Sequence, residues 1–558
     1  MKKRLLALAA ALLASPAFAD TLIHNVNGIQ VGADGTLQHF GGLVIGNDGK
    51  VRQVIENPDL VRLAGITASV DGGGRTLLPG LIDAHGHVIG LGLQSLQLDV
   101  TGSASLQELQ QRLKAYAEAH PDEAWIVGRG WNQELWPQSR FPTAADLDAV
   151  VSDRPVLLER VDGHAVVANG AALKAAGIDS ATKDPVGGKI ERDSGGRPTG
   201  LLVDAATELV GAKVPAATKA QLDSALANAQ QILLGFGVTA AGDMGTDVAA
   251  WDTYRRAGDV RRLQVRIMSY ALDVGNMRRI VPTGPTPWLY GDRLRMAGIK
   301  LYADGALGSR GAWLKQPYAD KPDTRGLQFL KDEELRAKAD EAAAKGLQVA
   351  VHAIGDAANA QVIATYEWLN TRYAGDRRWR IEHAQVVDPA DIARIGKAGI
   401  IASMQPTHQT SDRLMAEKRL GPDRLKGAYA WQSMLKAGAR LAFGSDFPVE
   451  SPNPFPGLGA AVSRQDMEGQ PPGGWIPSER LTFEQALAAF TRDAAYAGFA
   501  ETKIGSLEPG KWADFILIDR DPTKVDPQLL ARTQVEETWV AGKRVWTRAT
   551  GAGGERGK

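Results

Sequence analysis

The segment Asp83-Ala84-His85-Gly86-His87 sets two imidazoles two residues apart. In extended backbone residues i and i+2 point to the same side, so both rings can face one ion. Farther along, His352, His383 and the Asp446 of Gly444-Ser445-Asp446 offer more nitrogen and oxygen donors, and Lys300 offers an amine. Each has an ordinary explanation when taken alone. A lone H-x-H is more often surface or satisfied core, a single lysine is usually solvated or ion-paired, and a Ser-Asp pair commonly caps a helix. The shared placement needs explaining, because the chain has only nine histidines and four of them, His85, His87, His352 and His383, fall at the ends of predicted strands.

Those strands belong to a repeating pattern. Leu222, Ala225, Leu226, Ala229 and Leu233 mark a helical stripe before a strand at 237–241, and Leu335, Ala339, Ala342 and Ala343 mark another before a strand at 347–352. Strand candidates that precede helices lie near Leu81, Val238, Ile267, Ile299, Val349, Ile381, Ala402 and Leu441. Alternating strands and helices of this number predict an α/β fold, a TIM-type (β/α)8 barrel, whose active site is built from the C-terminal ends of its strands. Residues 79–494 are read as that barrel, with a large insertion at about 101–215 between the first two strands. Residues 20–78 and 495–549 read instead as short strands with Gly- and Asp-rich turns, antiparallel and of hairpin type, forming one composite β-sandwich domain. The Gly-rich stretch 551–558 is expected to be a disordered tail.

Composition narrows the function. The 558 residues carry 64 basic and 64 acidic side chains and no cysteine. A balanced charge gives no electrostatic footprint for nucleic acid or anionic lipid, so a small-molecule substrate is expected. Residues 1–19 begin with Lys2, Lys3 and Arg4, continue through an apolar run to Leu13, and end in Ala17-Phe18-Ala19. This reads as a secretory signal peptide, too short to span a bilayer, which implies a periplasmic or secreted protein with no membrane association after cleavage. Removing it takes three basic residues and shifts the balance from zero to −3. Oligomeric assembly is left open.

The chain resembles the amidohydrolase superfamily, and more narrowly the group often called amidohydrolase family 3. The resemblance runs over nearly the whole mature chain and is carried by the motifs at 78–87, Gly128-Arg129-Gly130-Trp131, Asp162-Gly163-His164, 300–305, His352-Ala353-Ile354-Gly355-Asp356, Ile381-Glu382-His383, Gly444-Ser445-Asp446 and 505–514. It implies a barrel holding one or two divalent metal ions, zinc above all, with His85, His87 and Asp446 on one ion and His352 and His383 on the other. Lys300 would bridge them after carboxylation by CO2, since an ammonium has only donors; the neighbouring Asp304 is an alternative oxygen ligand. The implied chemistry is hydrolysis of a C–N bond of amide or N-acyl type by metal-activated hydroxide, with Asp446 as general acid and base. Trp131, His164 and His408 are candidates for substrate contact. Two alternatives stand beside this reading: a single-metal deaminase of the same superfamily, and an exported binding protein that has kept the barrel without catalysis.

Overall fold

The computed structural model of the protein describes residues 20–57, 66–161, 163, 165–185 and 188–549. The leader at 1–19, His164 and the tail at 551–558 lie outside them. The chain divides into two compact units, one built from the residues up to Val88 and from Gln230 onward, the other from Ile89–Ala229.

The core of the first unit is a single eight-stranded parallel sheet whose strands follow one another in chain order. They are β1 (Leu81–Gly86), β2 (Val238–Thr246), β3 (Arg266–Leu272), β4 (Leu294–Tyr302), β5 (Gln348–Ala353), β6 (Arg380–His383), β7 (Ile401–Met404) and β8 (Arg440–Phe443). All eight strands expected from the alternating pattern are present, and the fold is the expected TIM-type barrel. The seam between β8 and β1 closes through the residues just after β8. The Asp446 N–H donates to the His85 carbonyl at 2.8 Å, and the His87 N–H donates to the Phe447 carbonyl at 2.7 Å. At this seam Gly444 comes so close that a β-carbon would lie 2.5 Å from both the Asp83 carboxylate and the His85 nitrogen, so only glycine fits.

Small residues line the barrel: Ala84, Ala240, Ala297, Ala350 and Ala442 are all buried in one cluster. Their size leaves room inside for the long side chains of Arg380, Gln348 and Tyr270. The lower mouth is filled by the helix Arg492–Ala497 and the residues after it, with Ala494, Ala495, Ala497, Ala500 and Ile504 joining the same cluster. Gln348, the first residue of β5, donates to the Ala497 carbonyl at 3.0 Å. With the bottom sealed, the open end of the barrel is the one formed by the strand C-termini.

Both chain ends contribute to two further sheets. One orders the strands Val51–Ile55, Gly42–Ile45, Asp20–His24 and Ile66–Asp71; the other orders Lys543–Thr547, Val535–Val540, Phe515–Ile518, Thr76–Pro79, Asn27–Val31 and Leu37–Phe40. Ile23, Leu43, Leu77, Phe515, Leu517 and Trp539 share one core between them. The expectation of purely antiparallel hairpins needs correction. Asp20–His24 pairs in parallel with Ile66–Asp71, and Asn27–Val31 with Thr76–Pro79, because the chain returns to each sheet in its original direction.

The second compact unit, Ile89–Ala229, takes in the insertion expected at about 101–215. It contains its own six-stranded sheet, ordered Gly188–Arg192, Pro198–Asp204, Ala165–Ala168, Val156–Arg160, Ile126–Trp131 and Leu98–Asp99. The helix Leu106–Ala119 lays Leu109, Leu113 and Ala117 into its core, and the Ser105 side chain caps its start.

A two-toothed ion pair fastens the barrel floor to the end-built sheets. Arg266, at the start of β3, donates from Nε and Nη2 to Asp514 Oδ2 and Oδ1 at 2.6 and 2.9 Å, with both side chains buried. Removing one partner strands a buried charge. Asp514→Asn is therefore expected to destabilise the fold by about 3–5 kcal/mol, measured by denaturant or thermal unfolding; a change within about 0.5 kcal/mol, typical of a surface site, would refute the role given to this pair.

Candidate metal centre

The C-terminal ends of the strands bring together side chains that lie far apart in the chain. His85 sits near the end of β1 and His87 just beyond it. Lys300 lies in β4, His352 in β5, His383 ends β6, and Asp446 follows β8. His408 stands in the first turn of the helix Pro406–Leu420, which follows β7. Three non-glycine residues here adopt left-handed backbone conformations, His383 at φ 76°, Ala384 at 43° and Asp446 at 61°. Such strain is held by surrounding structure and clusters at functional sites.

Asp446 is the centre of the group. Its Oδ1 lies 3.2 Å from His87 Nε2 and 3.4 Å from His85 Nε2, while its Oδ2 lies 3.9 Å from His408 Nε2. Burial opposes its charge, yet the imidazoles of His85 and His87 hold its carboxyl well below the usual carboxylate range. Burial, then the charge of Lys300, lowers the His85 imidazole to about 4. Burial likewise keeps His352 and His383 well below the ordinary histidine value, so these rings are neutral and carry a lone pair for ligation.

Which nitrogen carries that lone pair is set by a further layer of groups. Glu382 Oε2 accepts from His85 Nδ1 at 2.6 Å, which leaves Nε2 facing Asp446. Arg380 in turn donates to Glu382 Oε1 and Oε2 at 2.8 and 3.0 Å, to the Ala84 carbonyl, to Ser403 and to Tyr270. Burial raises the cost of charging Glu382, but the Arg380 guanidinium and His85 hold it well below the carboxylate range. His383 Nδ1 faces Gln405 Oε1 at 2.8 Å, which similarly frees its Nε2. Sequence reasoning passed over Glu382, Arg380 and Gln405. A signal was available: Arg380 and Glu382 share one face of a buried strand, and buried charges must be paired. Asp83 also has a role. Its carboxylate accepts from the Ser445 N–H and hydroxyl at 3.0 and 2.7 Å and from the His85 N–H at 3.0 Å, tying the two sides of the seam.

Lys300 is fully buried with Nζ 3.3 Å from His85 Nε2 and 4.8 Å above the Tyr302 ring. Burial, opposed by the charges of Glu382 and Asp446, lowers its amine to about 8. Asp304 is occupied structurally: its carboxylate accepts the backbone N–H of Trp313, Ile354 and Gly355 at 2.8, 3.0 and 2.8 Å. The nearest imidazole nitrogen to it is His352 Nε2, at 3.5 Å. The Trp131 ring is sealed within the core of the insertion with its N–H donated to the Leu158 carbonyl at 2.8 Å, so it presents no face to a ligand.

The donor set fits a divalent ion. His85, His87 and Asp446 each offer a ligand atom, as do His383, His408 and Asp446, and within each group these atoms lie within 4.8 Å of one another. His352 Nε2 and His408 Nε2 are buried without a hydrogen-bond partner, as expected of groups built to meet something else. Imidazole and carboxylate ligands at the open end of a TIM barrel define a metal-dependent hydrolase. Residues 68–546 match the amidohydrolase family, and the chain belongs to it.

Two relatives and one solved structure place it further. It is 37% identical to Protein LONG AFTER FAR-RED 3 of Arabidopsis thaliana, over 95% of this chain and 88% of that one. It is 29% identical to the N-substituted formamide deformylase of Arthrobacter pascens, over 85% and 89%. An uncharacterized metal-dependent hydrolase from Pyrococcus horikoshii OT3 superposes with a TM-score of 0.76 at 29% identity, covering 91% of this chain and 99% of that one.

Glu382, through its contact with His85 Nδ1, would orient that ring toward a bound ion. Glu382→Gln is expected to weaken metal affinity about 10–100-fold, read by competition with a chelating dye, with little change in the melting of metal-free protein. Unchanged affinity would remove its orienting role.

Proposed function

We propose that the protein is an exported hydrolase that cleaves a carbon–nitrogen bond of amide or N-acyl type, with Asp446 moving the proton. The observation that carries this reading is the Asp446 carboxylate, held ionised at the open end of the barrel with its Oδ1 3.4 Å from His85 Nε2 and 3.2 Å from His87 Nε2. His85 and His87, with Asp446, would hold a divalent ion, zinc by the nature of its nitrogen and oxygen ligands. A bound ion of this kind supplies Lewis acidity toward a carbonyl oxygen and an acidified water. The Asp446 carboxylate takes a proton from the attacking water and returns it to the leaving nitrogen, which departs as a neutral amine. Glu382 and Gln405 keep the rings of His85 and His383 turned correctly throughout.

Lys300 is read as the site of a carbamate. Lowering its amine to about 8 brings a neutral nitrogen within reach of near-neutral pH; that nitrogen attacks CO2, forms the N–C bond and releases a proton, replacing a cation with an oxygen donor. N-formyl compounds rank high as substrates, since the Arthrobacter pascens relative is named for deformylating N-substituted formamides. The leader at 1–19 supports export.

A screen of formamides, N-acyl amino acids and ureas with metal-loaded mature protein tests the reaction. Asp446→Asn should retain an ion at His85 and His87 while turnover falls about 10²–10⁴-fold. A variant that still turns over at the parent rate would exclude Asp446 as the proton carrier.

A further inference from the structure

One hydroxyl at the mouth of the barrel stands without a partner. The chain has ten tyrosines. The hydroxyls of all but Tyr302 meet an oxygen of the protein, as those of Tyr270, Tyr366 and Tyr429 do at Gln348, the Arg380 carbonyl and Asp412, at 2.6, 2.7 and 2.8 Å. Among the described residues nothing takes the Tyr302 hydroxyl, and its side chain is only half-buried. We infer that this hydroxyl donates a hydrogen bond to the carbonyl oxygen of the substrate as that oxygen gains charge during attack, which makes Tyr302 a catalytic residue. The inference rests on the proposed cleavage of an amide or N-acyl bond.

Strand register puts the phenol at the site. Tyr302 is the last residue of β4, so it stands at the open end of the barrel, and it lies two residues beyond Lys300 on the same face of the strand. Its direct neighbour across the pairing with β5 is His352, and the two rings lie 5.1 Å apart and 34° from parallel. The Lys300 amine lies 4.8 Å from the centre of the phenol ring. Backbone bonds hold the strand end in place. The Ala303 N–H donates to the His352 carbonyl at 2.9 Å, and the Phe329 N–H donates to the Ala303 carbonyl at 2.8 Å.

A phenol keeps its proton at neutral pH and so serves as an O–H donor. A fixed donor placed where charge develops stabilises the transition state more than the bound substrate, and therefore raises kcat rather than affinity. His352 Nε2, which the family resemblance gives to an ion, is buried without a hydrogen-bond partner beside this phenol. A carbonyl oxygen brought to that place has the Tyr302 hydroxyl next to it. Asp446 stands on another strand, after β8, and its proton-carrying role is untouched: Asp446 moves a proton, while Tyr302 shares one and keeps it. The hydroxyl makes no contact that folding needs, since a phenyl ring alone would fill the same position.

Tyr302→Phe removes only the oxygen, and zinc-loaded mature protein is the material for the test. Methylphosphonate, a small tetrahedral anion, is the probe of the charged oxygen, with its affinity measured by calorimetry and no turnover required. The variant should keep the ion content and the metal-free melting temperature of the parent while binding methylphosphonate about 10–100-fold more weakly, the loss of one hydrogen bond to a charged group. With 4-nitroformanilide as substrate, kcat should fall about 10²–10³-fold with KM little changed. If the parent does not hydrolyse the formanilide, the proposed reaction fails for that compound and the methylphosphonate measurement alone decides the role of Tyr302. Parental affinity for methylphosphonate in Tyr302→Phe, or no binding of it by the parent, would overturn the assignment. So would a loss of bound zinc or a lower melting temperature in the variant, since either would make the hydroxyl structural.

Discussion

The closing of the barrel between β8 and β1 is the constraint on which the site depends. Two backbone hydrogen bonds cross this seam, from Asp446 to His85 and from His87 to Phe447. The Asp83 carboxylate adds a third tie by gripping Ser445. The three residues proposed for the first ion, His85, His87 and Asp446, all stand on the two edges being joined. Barrel closure and ligand placement are thus one event: if the seam opened, Asp446 would leave its imidazoles. Gly444 belongs to the same constraint, since any side chain there would push the edges apart.

A site of this kind gathers charge in a place water hardly reaches, where each charge is costly unless paired. Here the pairing is arranged in depth. Arg380 fills the barrel interior and answers Glu382; Glu382 answers His85; His85 and His87 answer Asp446. The alanine-rich barrel wall makes room for this column, and the helix Arg492–Ala497 keeps water from its lower end. The interior thus trades hydrophobic bulk for a polar network fully satisfied at its base, which rigidifies the ligands above it.

Much of this was legible in the chain. The H-x-H at 85 and 87 declared itself because strand periodicity puts both rings on one side. The eight barrel strands were legible because buried parallel strands alternate with amphipathic helices. Glu382 was harder, although it lies in a quoted motif, because its task is visible only when Arg380 and His85 are seen on either side of it. Trp131 misled for a general reason: an aromatic residue in a motif next to a loop looks the same whether its ring packs inward or outward.

What the sequence determined by itself was the fold class, the family and the chemical type of each donor, since these follow from short-range periodicity and residue identity. What only the tertiary structure decided was grouping. His352 and His408 are equivalent as letters, both histidines near the end of a barrel strand. Their nitrogens part company over a few ångströms, one toward Asp304 and the other toward Asp446. That difference is set by how a helix packs against a strand from far along the chain, and no local pattern encodes it.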